Sequence, residues 1–350
     1  MLARQLLLER ASMALPDAVE HLVGLQAQTP HAPYLGLWSR LRGFDPFQLA
    51  ALLEARRVVR LPLMRSTVHL VSATDCLSLR PLFQDLMVKA MLASFRRDLE
   101  GVDLMALVAA GQALLDQGRP LSWAELGAAL CERWPGHPYL ALANVVRAHL
   151  ALVQVPPRGT WLQGGTARHV TAETWLGADQ APVPVDDLVL RYLAAFGPAS
   201  VADAQTWSGL RGLGEVFARR RDRLVVFAGP SGEELFDLPE APRPDEATPA
   251  PPRFLPVFDN LLLSHADRSH VVTDDLRRRL PATAALAAGS VLVDGFVAAH
   301  WRAALVGGEP RVKLTHLAAI PAAAREQTEA EGALLASFLR PVLARAGEAR

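Results

Sequence analysis

The sequence is poor in lysine: of its 36 lysine and arginine residues, only Lys89 and Lys313 are lysines. Positive charge is therefore carried almost entirely by arginine, whose planar guanidinium suits bidentate recognition of phosphate. A GC-rich coding sequence gives the same bias, and we take it as the main cause. The net charge is +0, which argues weakly against nucleic-acid binding, but acidic residues concentrate in 186–252, with 11 acidic against 7 basic side chains.

Cysteine and long apolar runs are also scarce. Cys76 and Cys131 form neither a Cys-x-x-Cys pair nor a zinc pattern, so we predict buried thiols in a reducing cytoplasm. No segment approaches the roughly 20 consecutive apolar residues of a membrane span. The apolar run at 6–8 is followed at once by Glu9 and Arg10, which predicts no signal peptide and no membrane partner.

Several cofactor-binding and catalytic motifs are missing. The chain has no Gly-rich phosphate loop of the Walker or dinucleotide type and no Gly-x-Ser-x-Gly nucleophile elbow. These absences argue against ATPases, Rossmann dehydrogenases and α/β-hydrolases. His265 and Asp267 are near neighbours, but no second carboxylate or histidine follows at ligand spacing. We therefore predict no metal and no cofactor.

Three consecutive stretches, 1–100, 101–184 and 185–238, share one pattern of helices followed by a β-hairpin. Apolar spacing predicts helices over 15–25, 33–44, 45–57, 102–117, 123–133, 138–150, 185–196, 201–207 and 211–221. β-prone runs predict strands within 58–71 and at 151–155, 168–171, 224–227 and 234–238. Ser122 and Ser200 are the expected N-caps of two of the helices. The organisation is typical of winged helices, which most often hold nucleic acid.

The remainder of the chain changes character. Residues 239–252 contain six prolines and read as an exposed linker. Strands are then predicted at 254–257, 270–272, 290–293, 296–299 and 311–314, followed by a helix over 326–346. The predicted fold class is α+β, with three tandem winged-helix units (1–100, 101–184 and 185–238), the linker 239–252, and a small C-terminal β-barrel with a terminal helix (253–350).

Two glutamines stand at the end of the first predicted helix. Gly24 and Pro30 bracket this end, and a residue before proline is pushed out of the α region. In an extended segment, residues two apart share one side, so Gln26 and Gln28 are expected to project together. A pair of carboxamides can hold a water and stabilise a developing cation, although neither is a strong base. Alternatively, they merely satisfy backbone groups at the helix end.

Other candidate binding residues are polar or basic side chains on the predicted hairpin and helix ends. Arg65, Thr67 and His69 share one side if 65–69 is a strand. Arg211 and Arg220 lie on and beside the third helix of the third unit, where they either neutralise phosphates or complement the dipole of a solvated helix end.

Five segments carry a resemblance to a known family. They are Val-Gly-Leu-Gln-Ala-Gln at 23–28, Ala-Pro-Tyr-Leu-Gly-Leu-Trp at 32–38, Leu-Met-Arg-Ser-Thr-Val-His-Leu-Val at 63–71, Phe-Asp-Asn-Leu-Leu-Leu-Ser-His-Ala-Asp-Arg at 258–268 and Val-Asp-Gly-Phe-Val at 293–297. In this order they resemble the winged-helix DNA glycosylases that excise alkylated bases and unhook interstrand crosslinks, the AlkZ-like and YcaQ-like family. The resemblance implies tandem winged helices and a C-terminal β-barrel. It also implies that Gln26 and Gln28 are the catalytic Gln-x-Gln motif of the AlkZ-like branch.

The resemblance implies a DNA glycosylase that hydrolyses the N-glycosidic bond of N7-alkylpurines. Because a lyase step needs an amine that forms a Schiff base and the chain has only two lysines, we predict that the enzyme is monofunctional. Its expected partner is double-stranded DNA with alkylated or crosslinked bases, contacted by Arg65, Thr67, His69, Arg211, Arg220 and Arg268. We expect a bacterial, cytoplasmic, nucleoid-associated monomer. The alternative is a non-enzymatic DNA-binding regulator built on the same winged helices.

Overall fold

Helices and antiparallel sheets alternate along the chain, of which the computed structural model describes residues 1–279 and 288–348. The helices are α1 Leu15–His21, α2 Ala32–Arg40, α3 Pro46–Glu54, α4 Ala73–Leu79, α5 Gln84–Phe95, α6 Leu104–Leu115, α7 Trp123–Arg133, α8 Tyr139–His149, α9 Ala172–Leu176, α10 Val185–Phe196, α11 Val201–Ser208, α12 Leu213–Arg220, α13 Asp274–Arg279 and α14 Ala322–Glu348. The strands are β1 Leu25–Gln26, β2 Val58–Pro62, β3 Val68–Ser72, β4 Leu152–Gln154, β5 His169–Thr171, β6 Val225–Ala228, β7 Glu234–Asp237, β8 Arg253–Leu255, β9 Gly289–Val293, β10 Phe296–Val306 and β11 Glu309–His316.

The two predicted helix N-caps are confirmed. The Ser122 hydroxyl accepts from the Glu125 N–H at 3.2 Å, and a Glu125 carboxylate oxygen accepts from the Ser122 N–H at 2.8 Å. Ser200 and Asp203 form the same reciprocal capping box at the start of α11. Each box satisfies backbone donors that a helix start leaves unpaired. The helices α4 and α5 were not predicted, although Ser72 caps α4 by the same kind of hydrogen bond to the Asp75 N–H.

One antiparallel sheet joins the first and second predicted units. Its strand order is β1-β3-β2-β4-β5. The join between the units is the pairing of Arg60 in β2 with Gln154 in β4. The hairpins of the two units therefore complete one sheet.

The C-terminal strands form an open sheet of order β11-β10-β9-β8. In the described part of the chain, β8 and β11 remain at opposite edges, so the predicted closed barrel is not confirmed. Helix α14 lies across one face, where Leu335 and Leu339 join Phe254, Val291 and Trp301 in an apolar cluster. Because the helix covers the apolar face, the sheet has no need to close on itself.

The prediction of a strand at 270–272 is wrong. The backbone N–H groups of Val271 and Val272 both donate to the Arg268 carbonyl, at 3.0 and 2.8 Å. These two hydrogen bonds fold the chain into a turn before α13. The two β-branched residues are nevertheless buried in a cluster with Leu255 and Leu292, so their apolar character serves packing and not strand pairing.

The largest apolar cluster runs through all three predicted units, because it includes Val23, Met64, Leu126, Leu193 and Phe236. An apolar cluster shared in this way resists separation of the units, since opening it would expose apolar surface at about 25 cal/mol per Å².

A buried ion pair ties the N-terminal segment to the third predicted unit. The Arg4 guanidinium donates to both carboxylate oxygens of Asp237, at 2.6 and 2.7 Å. The two side chains are 1% and 0% exposed. Arg4 also donates to the Leu193 carbonyl at 2.9 Å, and Arg243, which is partly exposed, donates to the Asp237 Oδ2 at 2.8 Å. Removing one partner of such a pair leaves a desolvated charge.

We predict that Arg4→Met lowers the free energy of unfolding by about 3 kcal/mol or more, because the Asp237 carboxylate stays buried without its bidentate partner. Urea denaturation followed by circular dichroism measures the change. The control is Arg42→Met, which removes a solvent-exposed pair with Glu9 and should cost at most about 1 kcal/mol. Equal losses in the two variants would contradict the prediction.

Candidate active site

The segment containing Gln26 is extended, as predicted, and its geometry follows from how α1 ends. Gly24 has φ +84°, and its N–H donates to the Val19 carbonyl at 2.8 Å, which turns the chain out of the helix. The next residues form β1, in which Leu25 pairs with Leu70 and Gln26 pairs with His69. The Ala27 N–H continues the pairing with the Val68 carbonyl at 2.7 Å.

The two glutamines differ in exposure. Gln26 is 8% exposed, whereas Gln28 is exposed. The Gln28 Oε1 accepts from the Val68 N–H at 3.3 Å, a long hydrogen bond at the surface that bound DNA could replace. Gln26 is thus a fixed group, and Gln28 is free to adjust.

Arg65 holds the carboxamide of Gln26. Its Nη2 donates to the Gln26 Oε1 at 2.8 Å and to the Asn260 Oδ1 at 3.4 Å, and its Nη1 donates to the Trp207 carbonyl. Within the described residues it forms no ion pair. Burial lowers the pKa of the guanidinium to about 10, so the group remains protonated at neutral pH. A cation supported by neutral acceptors therefore lies directly beside Gln26.

The carboxylate that lines the same cavity as Gln26 is already neutralised. Asp259 accepts from both terminal nitrogens of Arg40, at 2.9 and 2.8 Å. Together with Gln5, Gln26 and Asn260, these two residues line a cavity of about 10 Å³, which is room for one water molecule. Because Asp259 is committed to Arg40, it is not available as a general base.

A second arginine, which forms no ion pair with a described residue, also supports the segment. Arg60 of β2 is buried, and its Nη2 donates to the Ala27 carbonyl at 2.8 Å. Burial is the main cause that lowers its pKa, to about 10, and the nearby Arg158 adds to the shift. Arg60 was not predicted as a site residue, although an arginine inside the apolar run 58–62 is a signal that could have indicated it.

Asn260 was also missed as a site residue. It is buried, and its Nδ2 donates to the Gly24 carbonyl at 3.1 Å. It lies inside 258–268, one of the five segments that carry the family resemblance. Its hydrogen-bond partners, however, are more than 190 residues away in sequence. Sequence spacing gives no indication of such a contact.

The predicted polar row Arg65, Thr67 and His69 is not a strand face. Arg65 and Ser66 have φ of 54° and 59°, so they form a turn before β3 and period-two alternation does not apply. The Thr67 hydroxyl donates to the Met64 carbonyl at 3.1 Å inside that turn. The structure thus brings Arg65 to Gln26, but it does so from a turn.

His69 is 0% exposed, so it has no surface for the predicted DNA contact. Its Nδ1 lies 2.8 Å from the Thr67 carbonyl. Burial, with the Arg65 charge adding to it, lowers the pKa of the imidazole to about 3. The ring is therefore neutral across the physiological range, with Nδ1–H as the donor to that carbonyl, and it fills space behind Gln26.

The remaining predicted DNA contacts lie elsewhere in the fold. Arg211 is exposed, just before α12. Arg220 donates to Asp186 at 2.9 Å, an ion pair that neutralises much of its charge. Arg268 is half-buried and supplies the carbonyl at the turn before α13.

Two other kinds of site are absent from residues 1–279 and 288–348. No three histidine, cysteine, aspartate or glutamate side chains cluster in a way that could hold a metal ion. Within the same residues, no helix combines the length and apolarity needed to cross a membrane.

Comparison with known proteins identifies the family. A family model described as DNA glycosylase AlkZ-like matches residues 19–338. The chain belongs to the AlkZ-like DNA glycosylase family. Its matched span contains Gln26, Gln28, Arg65 and Asn260. This AlkZ-like protein is therefore a DNA glycosylase that acts on DNA in repair, and the alternative of a non-enzymatic regulator is set aside.

The fold of this AlkZ-like glycosylase is similar to a solved structure. The DNA glycosylase AlkZ of Streptomyces sahachiroi superposes with a TM-score of 0.76 at 22% identity, over 96% of this chain and 94% of that chain. At this identity the likeness establishes the mixed α+β fold alone. A search of curated proteins found no match.

We predict that Gly24→Ala lowers both the free energy of unfolding and the rate of base release. A Cβ at this position would lie 2.7 Å from Val71 Cγ1 and 3.0 Å from the Leu70 carbonyl oxygen. Strain at positive φ and overpacking together should cost about 2 kcal/mol or more, and relief of the clash displaces β1.

The matched control is Gly43→Ala, at φ +60° with nothing within 4 Å of the added Cβ. It carries the positive-φ strain without the clash, so it should cost about 1–2 kcal/mol and leave base release unchanged. Chemical denaturation and base-release assays on both variants measure the difference. If Gly24→Ala behaves like Gly43→Ala, β1 does not depend on this close approach.

Proposed function

We propose that this glycosylase hydrolyses the N-glycosidic bond of alkylated purines, N7-alkylpurines above all, and that Gln26 and Gln28 are its catalytic residues. The observation that carries the proposal is the pair of carboxamides on and just after β1, because Asp259, the carboxylate that lines the same cavity as Gln26, is bound to Arg40. The described residues that line this cavity therefore offer polar amides and no unpaired carboxylate.

This chemistry suits a leaving group that is already activated. A purine alkylated at N7 carries a positive charge, so cleavage of the bond from C1′ to N9 returns the electron pair to the ring and neutralises it. Water adds to C1′, and its proton passes to solvent. The products are a neutral alkylpurine and an abasic site. Because the base leaves without protonation, strong acid catalysis is unnecessary.

The two glutamines have separable roles in this proposal. Cleavage builds oxocarbenium character on the sugar, which amide oxygens can stabilise by their dipoles. Gln28, exposed and held by one long hydrogen bond, is suited to meet the sugar. Gln26, held by Arg65, is suited to position the attacking water. Unmodified purines should react very slowly, since neither group can protonate or deprotonate strongly.

We extend the proposal to DNA with interstrand crosslinks, bound by a monomer in the bacterial cytoplasm on the nucleoid. A crosslinked base cannot be flipped fully into a deep pocket, and the cavity behind Gln26 holds only about 10 Å³. A reaction at the exposed Gln28, beside the buried Gln26, suits such a substrate. The three predicted winged helices would then frame the duplex.

We predict that Gln26→Ala and Gln28→Ala each slow base release by about 100-fold. Single-turnover assays on a duplex with one 7-methyl-dG, at saturating enzyme, measure the rate. Duplex affinity should change little, because neither side chain carries charge to a phosphate. The control is Gln48→Ala on the exposed side of α3, which should match the wild type. Undiminished base release by the double variant at 26 and 28 would overturn the catalytic assignment.

We also predict monofunctional chemistry. A lyase step needs an amine that forms a Schiff base with the opened sugar, and the lysines, Lys89 and Lys313, lie on α5 and β11. Neither lysine is among the residues that line the cavity beside Gln26, and β11 belongs to a different sheet from β1. Borohydride added during turnover should trap no covalent complex, and strand cleavage should appear only after alkali. A trapped complex that is lost in Lys89→Ala or Lys313→Ala would contradict this prediction.

A further inference from the structure

We propose that Arg65 and Asn260 are positioning residues that fix the orientation of the Gln26 carboxamide for base release. The inference deepens the proposed function and rests on it, because it assigns the machinery behind one of the two glutamines. It also changes the role expected for Arg65, which the sequence had suggested as a DNA contact.

The orientation follows from donor and acceptor chemistry. A guanidinium has five N–H donors and no acceptor, so only the oxygen end of a carboxamide can face it favourably. With Oε1 held at 2.8 Å from the Arg65 Nη2, the Gln26 Nε2 must point away from Arg65. No described residue accepts a hydrogen bond from that Nε2. It is therefore available to hold a water or a substrate oxygen, and the opposite amide orientation is excluded.

Arg65 is itself held rigidly. Its turn has positive φ at two successive non-glycine residues, a conformation that persists only where neighbours enforce it. Arg147 donates to the Ser66 carbonyl at 3.1 Å, and Arg65 donates to the Trp207 carbonyl. Gly209 packs so closely that an added Cβ would lie 3.2 Å from the Arg65 Cα. Residues from the second and third predicted units thus brace the turn from two sides.

Asn260 completes the arrangement from the C-terminal part of the chain. Its Nδ2 donates to the Gly24 carbonyl at 3.1 Å, and its Oδ1 accepts from Arg65 at 3.4 Å. One buried amide therefore connects the turn that starts β1 with the guanidinium that orients Gln26. Its two ends have opposite partners, so its orientation is fixed as well.

The competing role for Arg65 is a direct contact with a DNA phosphate. The two roles affect different measurable quantities. A phosphate contact contributes to affinity and to its salt dependence, so its loss reduces the salt slope by about 1. A positioning residue acts on the rate of the bound complex, because misplacement by about 1 Å can cost about 100-fold in rate. A saturated single-turnover rate separates these effects.

The test is a double-mutant cycle of Arg65→Met and Gln26→Ala on the 7-methyl-dG duplex. We expect Arg65→Met alone to slow saturated base release by about 10- to 100-fold, with the dissociation constant and its salt slope unchanged. If Arg65 acts through Gln26, the double variant should be no slower than Gln26→Ala alone. Arg65→Lys keeps the charge but lacks the planar fork that joins Trp207 and Gln26, so it should recover little of the rate.

Asn260→Ala gives a second route that leaves Arg65 in place. We expect a loss of several-fold in the saturated rate, again with no further loss when combined with Gln26→Ala. Melting temperatures of all variants identify any that fail to fold, and if Arg65→Met is one of them, the Asn260 cycle decides the outcome. The inference is overturned if the effects of the paired variants multiply, or if Arg65→Met weakens DNA binding while the saturated rate stays at the wild-type value.

The same cycle distinguishes failure of the inference from failure of the proposed function. If Gln26→Ala does not slow base release, the catalytic assignment of Gln26 fails and the inference fails with it. If Gln26→Ala is slow but Arg65→Met and Asn260→Ala are not, only the positioning inference is wrong.

Discussion

Two arginines that form no ion pair with any described residue hold Gln26 and Ala27 in place, and the rest of the site depends on them. Arg65 donates to the Gln26 side chain at 2.8 Å, and Arg60 donates to the Ala27 carbonyl at 2.8 Å. Removing a cation from water is costly unless hydrogen bonds replace its hydration. Each of the two guanidinium groups donates one such bond to the segment, and the others go to Trp207, Asn260 and the Arg158 carbonyl. Movement of the segment would therefore cost each buried charge one of its few acceptors. That coupling makes a two-residue strand, which is too short to be stable alone, into a rigid element.

The site lies where several parts of the chain meet, which explains why so much structure supports so few reacting atoms. Gln26 and Arg65 come from the first predicted unit, Trp207 from the third, and Asn260 from the C-terminal part. The sheet of β1 to β5 joins the first and second predicted units, and the shared apolar cluster adds the third. The hydrogen bond from Asn260 to the Gly24 carbonyl ties in the C-terminal part. The buried pair of Arg4 and Asp237 adds a further connection between the N-terminal segment and β7.

Local patterns in the sequence were sufficient for much of the fold but for only part of the site. Apolar periodicity and the capping serines at 122 and 200 predicted most helices of the second and third stretches, because those signals act within one turn. The extended geometry at Gln26 followed from Gly24. In contrast, Arg65 lies in a turn with positive φ, and the residues of that turn include no proline or glycine that would predict it. Only tertiary contacts enforce this conformation. Asn260 and Arg65 are hydrogen-bonded although they lie 195 residues apart in sequence. Arg60 lies in a strand, where an arginine side chain is normally expected to be exposed.

The positive charge of Arg65 limits where the positively charged sugar can lie in the proposed reaction. Two like charges about 4 Å apart repel by about 4 kcal/mol at an effective dielectric constant of 20, so a bare guanidinium against an oxocarbenium ion would oppose the reaction. In the proposed site the Gln26 oxygen accepts from Arg65, so the N–H end of that carboxamide is turned away from the guanidinium and would hold the attacking water. The sugar would meet the exposed Gln28 instead, which would keep the Arg65 cation one carboxamide away from the developing charge. In such a site the enzyme would contribute orientation and the substrate the activated leaving group, which would be the physical basis of the proposed selection of cationic, alkylated bases.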